Sequence, residues 1–142
     1  MIVLDTNVIS ETFKPSPDKR VGEWLASMPA DLFFVTSVTK AELLYGLALM
    51  PDGNRKRGLA SVIAAFFDQK ILNPVAGFGD EEALSYAQIS AHRRRLGRPI
   101  RELDAQIAAI ARTRGFAVAT RNTRDFENCG IEIINPWGEF AA

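Results

Sequence analysis

MIVLDTNVIS, residues 1–10, runs an apolar stretch, Ile2 to Leu4, directly into Asp5, Thr6 and Asn7. A short uninterrupted apolar run reads as a strand covered on both faces. Asp5 would then cap a helix predicted from Asn7 to Phe13, which Pro15 and Pro17 stop. Further along, LFFVT (32–36), FAVAT (116–120) and IEII (131–134) read as strands, and ILNPV (71–75) as a short extended piece. Helical spacing fills the intervals at 18–28, 37–50, 54–68, 80–96 and 101–114, the last closed by Gly115 as its C-cap. Short strands alternating with helices predict an α/β fold, a parallel sheet with helices on both faces. Ligands of such sheets sit outside the carboxyl ends of the strands. Asp5 follows the first strand, and Asn122 and Asp125 follow FAVAT, so all three fall on that edge.

The bulk numbers narrow the field without deciding it. With 142 residues, 47% of them apolar and 24% charged, the chain is expected to form one domain over 1–142. Seventeen basic and seventeen acidic side chains cancel, so overall charge gives no sign of nucleic-acid binding. A single cysteine, Cys129, cannot close an intramolecular disulfide, which suits a reducing compartment. The apolar run that stops at Asp5 is too short for a signal segment, and no stretch is long enough for a membrane span. A soluble, cytosolic protein is the expectation.

Four segments place acidic groups where a plain structural role explains them incompletely. Asp5 is either a helix cap or a ligand. In SVTKAELLYGLALM (37–50) the predicted inward stripe is Val38, Ala41, Tyr45 and Leu49, and Glu42 falls on it. A capping box, Thr39 to Glu42, is the alternative, although Thr36 and Ser37 are equally good caps. In RELDAQIAAIAR the inward residues are read as Leu103, Ile107, Ile110 and Ala111, with Asp104 inside that sector. A first-turn carboxylate gains under about 1 kcal/mol from the helix dipole, and it would gain that at an exposed site too. In TRNTRDF, Asn122 could cap a short helix whose first turn holds Asp125. Inward charges are costly unless paired, protonated or metal-bound. If these groups converge, oxygen ligands without thiolate or imidazole point to Mg²⁺ or Mn²⁺ rather than zinc.

A strand ending in DTN, helices carrying VTKAELLYG and LDAQIAAIA, and VATRNTRDF together resemble the PIN-domain ribonucleases. Within that family the chain is most similar to VapC-type toxins of bacterial toxin–antitoxin pairs, and INPW (134–137) resembles the FitB-like branch. The resemblance implies a three-layer α/β/α fold around a parallel sheet. It maps an acidic metal site onto Asp5, Glu42 and Asp104, with Asp125 as the fourth carboxylate and Asn122 as a neutral neighbour or water-mediated ligand. Thr6 and Asn7 would support Asp5, and Arg121 and Arg124 could hold RNA phosphates. The implied activity is Mg²⁺- or Mn²⁺-assisted hydrolysis of RNA, leaving 5′-phosphate and 3′-hydroxyl ends. The implied partners are RNA, a cognate antitoxin, operator DNA only through that antitoxin, and a second copy in a homodimer.

Rival readings have identifiable weaknesses. A haloacid-dehalogenase-like phosphatase wants a second Asp two residues after the first, and that position is Asn7. A response-regulator receiver wants a lysine near its last strand, and residues 120–142 contain none. The only histidine, His92, beside Arg93, Arg94 and Arg95, reads as solvated, which disfavours histidine-based acid–base catalysis. A catalytically lapsed PIN-like module acting in an antitoxin–operator complex is the non-enzymatic alternative.

Overall fold

The computed structural model describes residues 1–138. The end of the predicted domain, 139–142, lies outside the described residues. Four strands, β1 (Ile2–Leu4), β2 (Phe33–Phe34), β3 (Ala117–Ala119) and β4 (Ile133–Ile134), form one sheet in the order β2-β1-β3-β4. Every pairing is parallel: Ile2 lies beside Phe33 and Ala117, Leu4 beside Ala119, and Ala119 beside Ile134. Among the described residues, six α-helices accompany the sheet: α1 (Thr6–Thr12), α2 (Lys19–Ala26), α3 (Ser37–Leu49), α4 (Asn54–Ala65), α5 (Asp80–Arg95) and α6 (Glu102–Arg114).

Alternation along the strands separates two cores. Ile2, Leu4, Ala117 and Ala119 face a layer containing Val8, Ile9, Val21, Trp24, Ile63 and Phe66, drawn from α1, α2, α4 and its extension. Val3 and Val118 face the opposite layer, built from Ile89 of α5 and Ile107, Ala108 and Ile110 of α6. Burial of both strand faces is the reason their sequences read as continuous apolar runs. The three-layer α/β/α expectation is met.

Several boundaries differ from the sequence reading. LFFVT pairs as a strand only at Phe33–Phe34, because Ala30–Leu32 coil into a 3₁₀ turn. Beyond it the chain changes partner: the Ala76 N–H donates to the Val35 carbonyl and the Ser37 N–H to the Ala76 carbonyl, both at 2.9 Å. Among the described residues, that single bridge at Ala76 is the pairing next to ILNPV. The helix expected over 54–68 ends at Ala65, and Phe66–Lys70 widen into a π turn closed by Ile71 N–H on the Phe66 carbonyl. Gly115 does cap α6, at φ 72°, a backbone shape that side chains disfavour.

Two predicted inward faces also need correction. On α3 the buried residues are Val38, Thr39 and Leu43, whereas Ala41, Tyr45 and Leu49 of the predicted stripe are exposed. On α6, Ile107, Ile110 and Ala111 are buried as expected, but Leu103 is 49% exposed. Apolar residues on every side of α3 make its buried face unreadable from spacing alone. Leu103 lies in the first turn of α6, at the rim of the helix pair.

Candidate active site

The sheet's carboxyl edge gathers the site. The Asp5 N–H donates to the Ala119 carbonyl at 2.9 Å, extending the β1–β3 ladder one residue past the strand. This register sets Asp5 beside Thr120, and both are buried. The Thr120 hydroxyl donates to Asp5 Oδ2 at 2.8 Å, and the Thr6 N–H donates to Oδ1 at 2.8 Å. A longer contact from Asn7 Nδ2 reaches Oδ2 at 3.4 Å. Asp5 also caps α1, its carbonyl accepting from the Val8 N–H at 3.0 Å. Cap and candidate ligand are thus compatible roles of one residue.

Glu42 reaches the same edge from α3. Its Oε1 accepts from the Thr6 hydroxyl at 2.9 Å, and that hydroxyl lies 3.2 Å from Thr39 Oγ1. The helix cap is Thr36, whose Oγ1 accepts from the Thr39 N–H at 3.1 Å. Thr39 is therefore not the cap, and the capping-box explanation of Glu42 fails. Glu42 does turn inward, on the Thr39–Leu43 side of the helix rather than on the predicted stripe.

Asp104 projects from the first turn of α6, its side chain 15% exposed. Its Oδ2 is buried and has no hydrogen-bond partner. The nearest cation, Arg101 Nε, stands 3.6 Å away on a side chain 84% exposed. That is an ion pair too long to be a hydrogen bond. Asp125 enters from the 3₁₀ turn Thr123–Phe126, whose start is fixed by its own N–H on the Asn122 carbonyl at 3.0 Å.

Electrostatics couple the groups in pairs, Asp5 with Glu42 and Asp125, and Asp104 with Asp5 and Asp125. Burial pushes the Asp5 carboxyl above its ordinary value, and the charges of Glu42 and Asp125 push it further, against the Thr120 and Thr6 hydrogen bonds. Asp104 is raised first by burial and then by the charges of Asp5 and Asp125, with Arg101 opposing. Among the described residues, no three acidic, histidine or cysteine side chains draw close enough to enclose a metal ion as they stand. The donor set nevertheless suits a hard divalent cation: carboxylate oxygens only, repulsion that raises Asp5 and Asp104, and a buried, unpartnered Asp104 Oδ2.

Residues 2–131 match the PIN domain family. A VapC ribonuclease of Sinorhizobium fredii, Y4jK, is 40% identical over 141 residues, covering 96% of this chain and 98% of the relative. Toxin FitB of Neisseria gonorrhoeae is 38% identical over 141 residues, covering 96% and 99%. A FitAB complex bound to the IR36 DNA fragment superposes with a TM-score of 0.93 at 34% identity, covering 99% of each chain. The chain belongs to the PIN-domain family.

Within this PIN domain the remaining sequence candidates divide. Asn7 sits in the network, its Oδ1 accepting the Arg121 N–H at 3.2 Å. Asn122 is exposed; its backbone N–H donates to Thr120 Oγ1 at 3.1 Å, but its side chain does not cap the 3₁₀ turn. The Arg121 guanidinium lies 5.2 Å from the Trp137 ring, which gives the INPW segment a contact at the site's edge. Arg124 is exposed beside Asp125.

His92 is exposed, as expected, but Arg93 is 4% exposed and not part of a solvated arginine face. Sequence reasoning missed Thr120 and Arg101. Thr120 carried a usable signal, since a parallel register aligning MIVLD with FAVAT sets it beside Asp5.

Proposed function

We propose that this PIN-domain protein is the toxin of a type II toxin–antitoxin pair. In this reading it is a metal-dependent endoribonuclease whose Mg²⁺ or Mn²⁺ is held by Asp5, Glu42, Asp104 and Asp125. The carrying observation is Asp104 Oδ2, a buried acceptor without a donor, on a carboxylate raised by the charges of Asp5 and Asp125, with Glu42 joined to Asp5 through Thr6. Relatives named as a VapC ribonuclease and as Toxin FitB support the same reading. When bound, the ion supplies activation of water and neutralisation of charge on the scissile phosphate.

The chain's own groups prepare that event. Thr120 and the Thr6 N–H hold both oxygens of Asp5, and the Thr6 hydroxyl holds Glu42. One residue therefore serves two carboxylates from two elements. Arg121 and Arg124 stand at the edge where an RNA backbone would pass, and they would fix phosphates without reading bases. Attack by water on phosphorus, with the 3′-oxygen leaving, gives 5′-phosphate and 3′-hydroxyl products.

The proposed setting is a single-domain cytoplasmic protein that meets operator DNA only through its antitoxin. Among the described residues, no helix is long and apolar enough to cross a membrane. An apolar groove between α1, α2 and α4, lined by Val8, Phe13, Leu25 and Phe66, offers a surface for an antitoxin segment. The exposed Leu44, Tyr45 and Leu49 of α3 offer apolar surface for a homodimer.

Cleavage of RNA by wild type and Asp5→Ala, with Mg²⁺ or Mn²⁺ and with EDTA, tests the proposal. Metal-dependent cuts with 5′-phosphate ends, lost in the variant, are expected. Cleavage that survives both EDTA and the substitution would overturn it.

A further inference from the structure

We infer that Arg93 is a positioning residue for the fourth carboxylate, acting on Asp125 through its main chain. The inference rests on the proposed metal-dependent reading of the site and adds to it a residue outside the acidic cluster. Arg93 opens the run Arg93-Arg94-Arg95 at the end of α5, yet it turns inward while its two neighbours stay exposed. Its Nη1 donates to the Asp125 carbonyl at 2.8 Å and to the Glu127 carbonyl at 3.0 Å. Its Nε donates to the Arg98 carbonyl at 2.7 Å, and Nη1 also lies 3.7 Å from Cys129 Sγ.

The segment so gripped is anchored below by the buried Phe126 and Cys129, and Arg93 adds a tie at the Asp125 main chain itself. Between β3 and β4 the chain forms only the 3₁₀ turn Thr123–Phe126, and a turn that short holds few internal hydrogen bonds. The Asp125 carbonyl is bonded to the same α-carbon that carries its carboxylate, so fixing one restricts where the other points. A second tie runs parallel: Arg98 Nη2 pairs with Glu127 Oε2 at 3.0 Å.

The chemistry of the pin matters as well. The hydrogen-bonded oxygens around Arg93 are main-chain carbonyls, which balance a buried guanidinium less fully than a carboxylate would. A planar fork can serve carbonyls from two segments at once, whereas a lysine ammonium acts from a single point. The arrangement is therefore built for geometry at Asp125 rather than for charge neutralisation.

The test is a double-variant cycle on the full chain, read by Mn²⁺ affinity from calorimetry without RNA, alongside melting temperature. Arg93→Met is expected to weaken Mn²⁺ binding about tenfold, the usual size of effect for groups that orient a ligand, and Asp125→Asn is expected to weaken it at least as much. Adding Arg93→Met to Asp125→Asn should then weaken binding no further. If Arg93→Met does not fold, Arg93→Lys replaces it in the cycle, with a smaller loss that again vanishes beside Asp125→Asn. A lowered melting temperature with unchanged Mn²⁺ affinity would overturn the inference, and so would losses that multiply in the double variant. Absence of Mn²⁺ binding by the wild type would instead overturn the metal-site reading beneath it.

Discussion

Thr120 Oγ1 stands 2.8 Å from Asp5 Oδ2 because the parallel ladder that pairs Leu4 with Ala119 continues for one more residue. The sheet register therefore supplies the site with a hydroxyl donor 115 positions away in sequence. Replacing Thr120 with Val keeps the shape and removes the donor, leaving a buried carboxylate oxygen short of a hydrogen bond. Thr120→Val is expected to lower Mn²⁺ affinity by about tenfold, and Thr120→Ser to retain it. Metal titrations of the three proteins check this, and equal affinities would show that the hydroxyl does not orient Asp5.

Thr6 is the hinge between Asp5 and Glu42, its N–H on one and its hydroxyl on the other. Thr6→Val spares the first contact and deletes the second. RNA cleavage at fixed Mg²⁺ should fall by about tenfold, with most of the loss recovered in Thr6→Ser. A variant with wild-type rates would remove Glu42 from the functioning site.

In metal-free protein the acidic cluster works against folding at neutral pH. Asp104 is raised above 3.8 by burial first and by Asp5 and Asp125 second. Above 3.8 the folded chain then binds more protons than the unfolded one until the raised carboxyl itself ionises, so stability falls as pH rises through that window. Asp5 acts in the same direction. Asp18 does the opposite: its hydrogen bonds with Arg20 lower it to about 2, so its contribution exists above 3.8 and fades as pH falls. With EDTA present, Asp104→Asn should melt above wild type at neutral pH, and the gap should close below pH 3.8. Melting curves across pH decide it; a less stable variant at neutral pH contradicts the electrostatic account.

The corrected face of α6 has its own consequence. Ile107 is fully buried and Leu103 is 49% exposed. Ile107→Ala should cost about 2–5 kcal/mol, from lost burial and the cavity left behind. Leu103→Ala should stay within about 0.5 kcal/mol of wild type. Denaturant unfolding compares the two directly, and equal costs would place Leu103 in the core after all.

What could be read in the sequence follows from how local each signal is. Asp5 and Asp104 were legible because each interrupts an apolar pattern within its own segment. Glu42 faces the site although the stripe used to place it is mostly exposed. Its helix is apolar on all sides, so composition pointed inward without saying where inward was. Thr120 depends on strand register, which no single segment encodes. Arg93 was hidden inside a charge run, since nothing local separates the buried arginine from its two solvated neighbours. The β2 strand came out shorter than its apolar run because Ala30–Leu32 coil into a local 3₁₀ turn and Val35 and Ser37 bond to Ala76 instead of β1.

Anomalous diffraction from Mn²⁺-soaked crystals of the wild-type chain would locate the ion among the carboxylates. An anomalous peak is expected at direct-ligand distance from Asp5 and Asp104, with Glu42 and Asp125 turned toward it. Strong peaks elsewhere on the protein, with none among these four carboxylates, would contradict the proposed metal site.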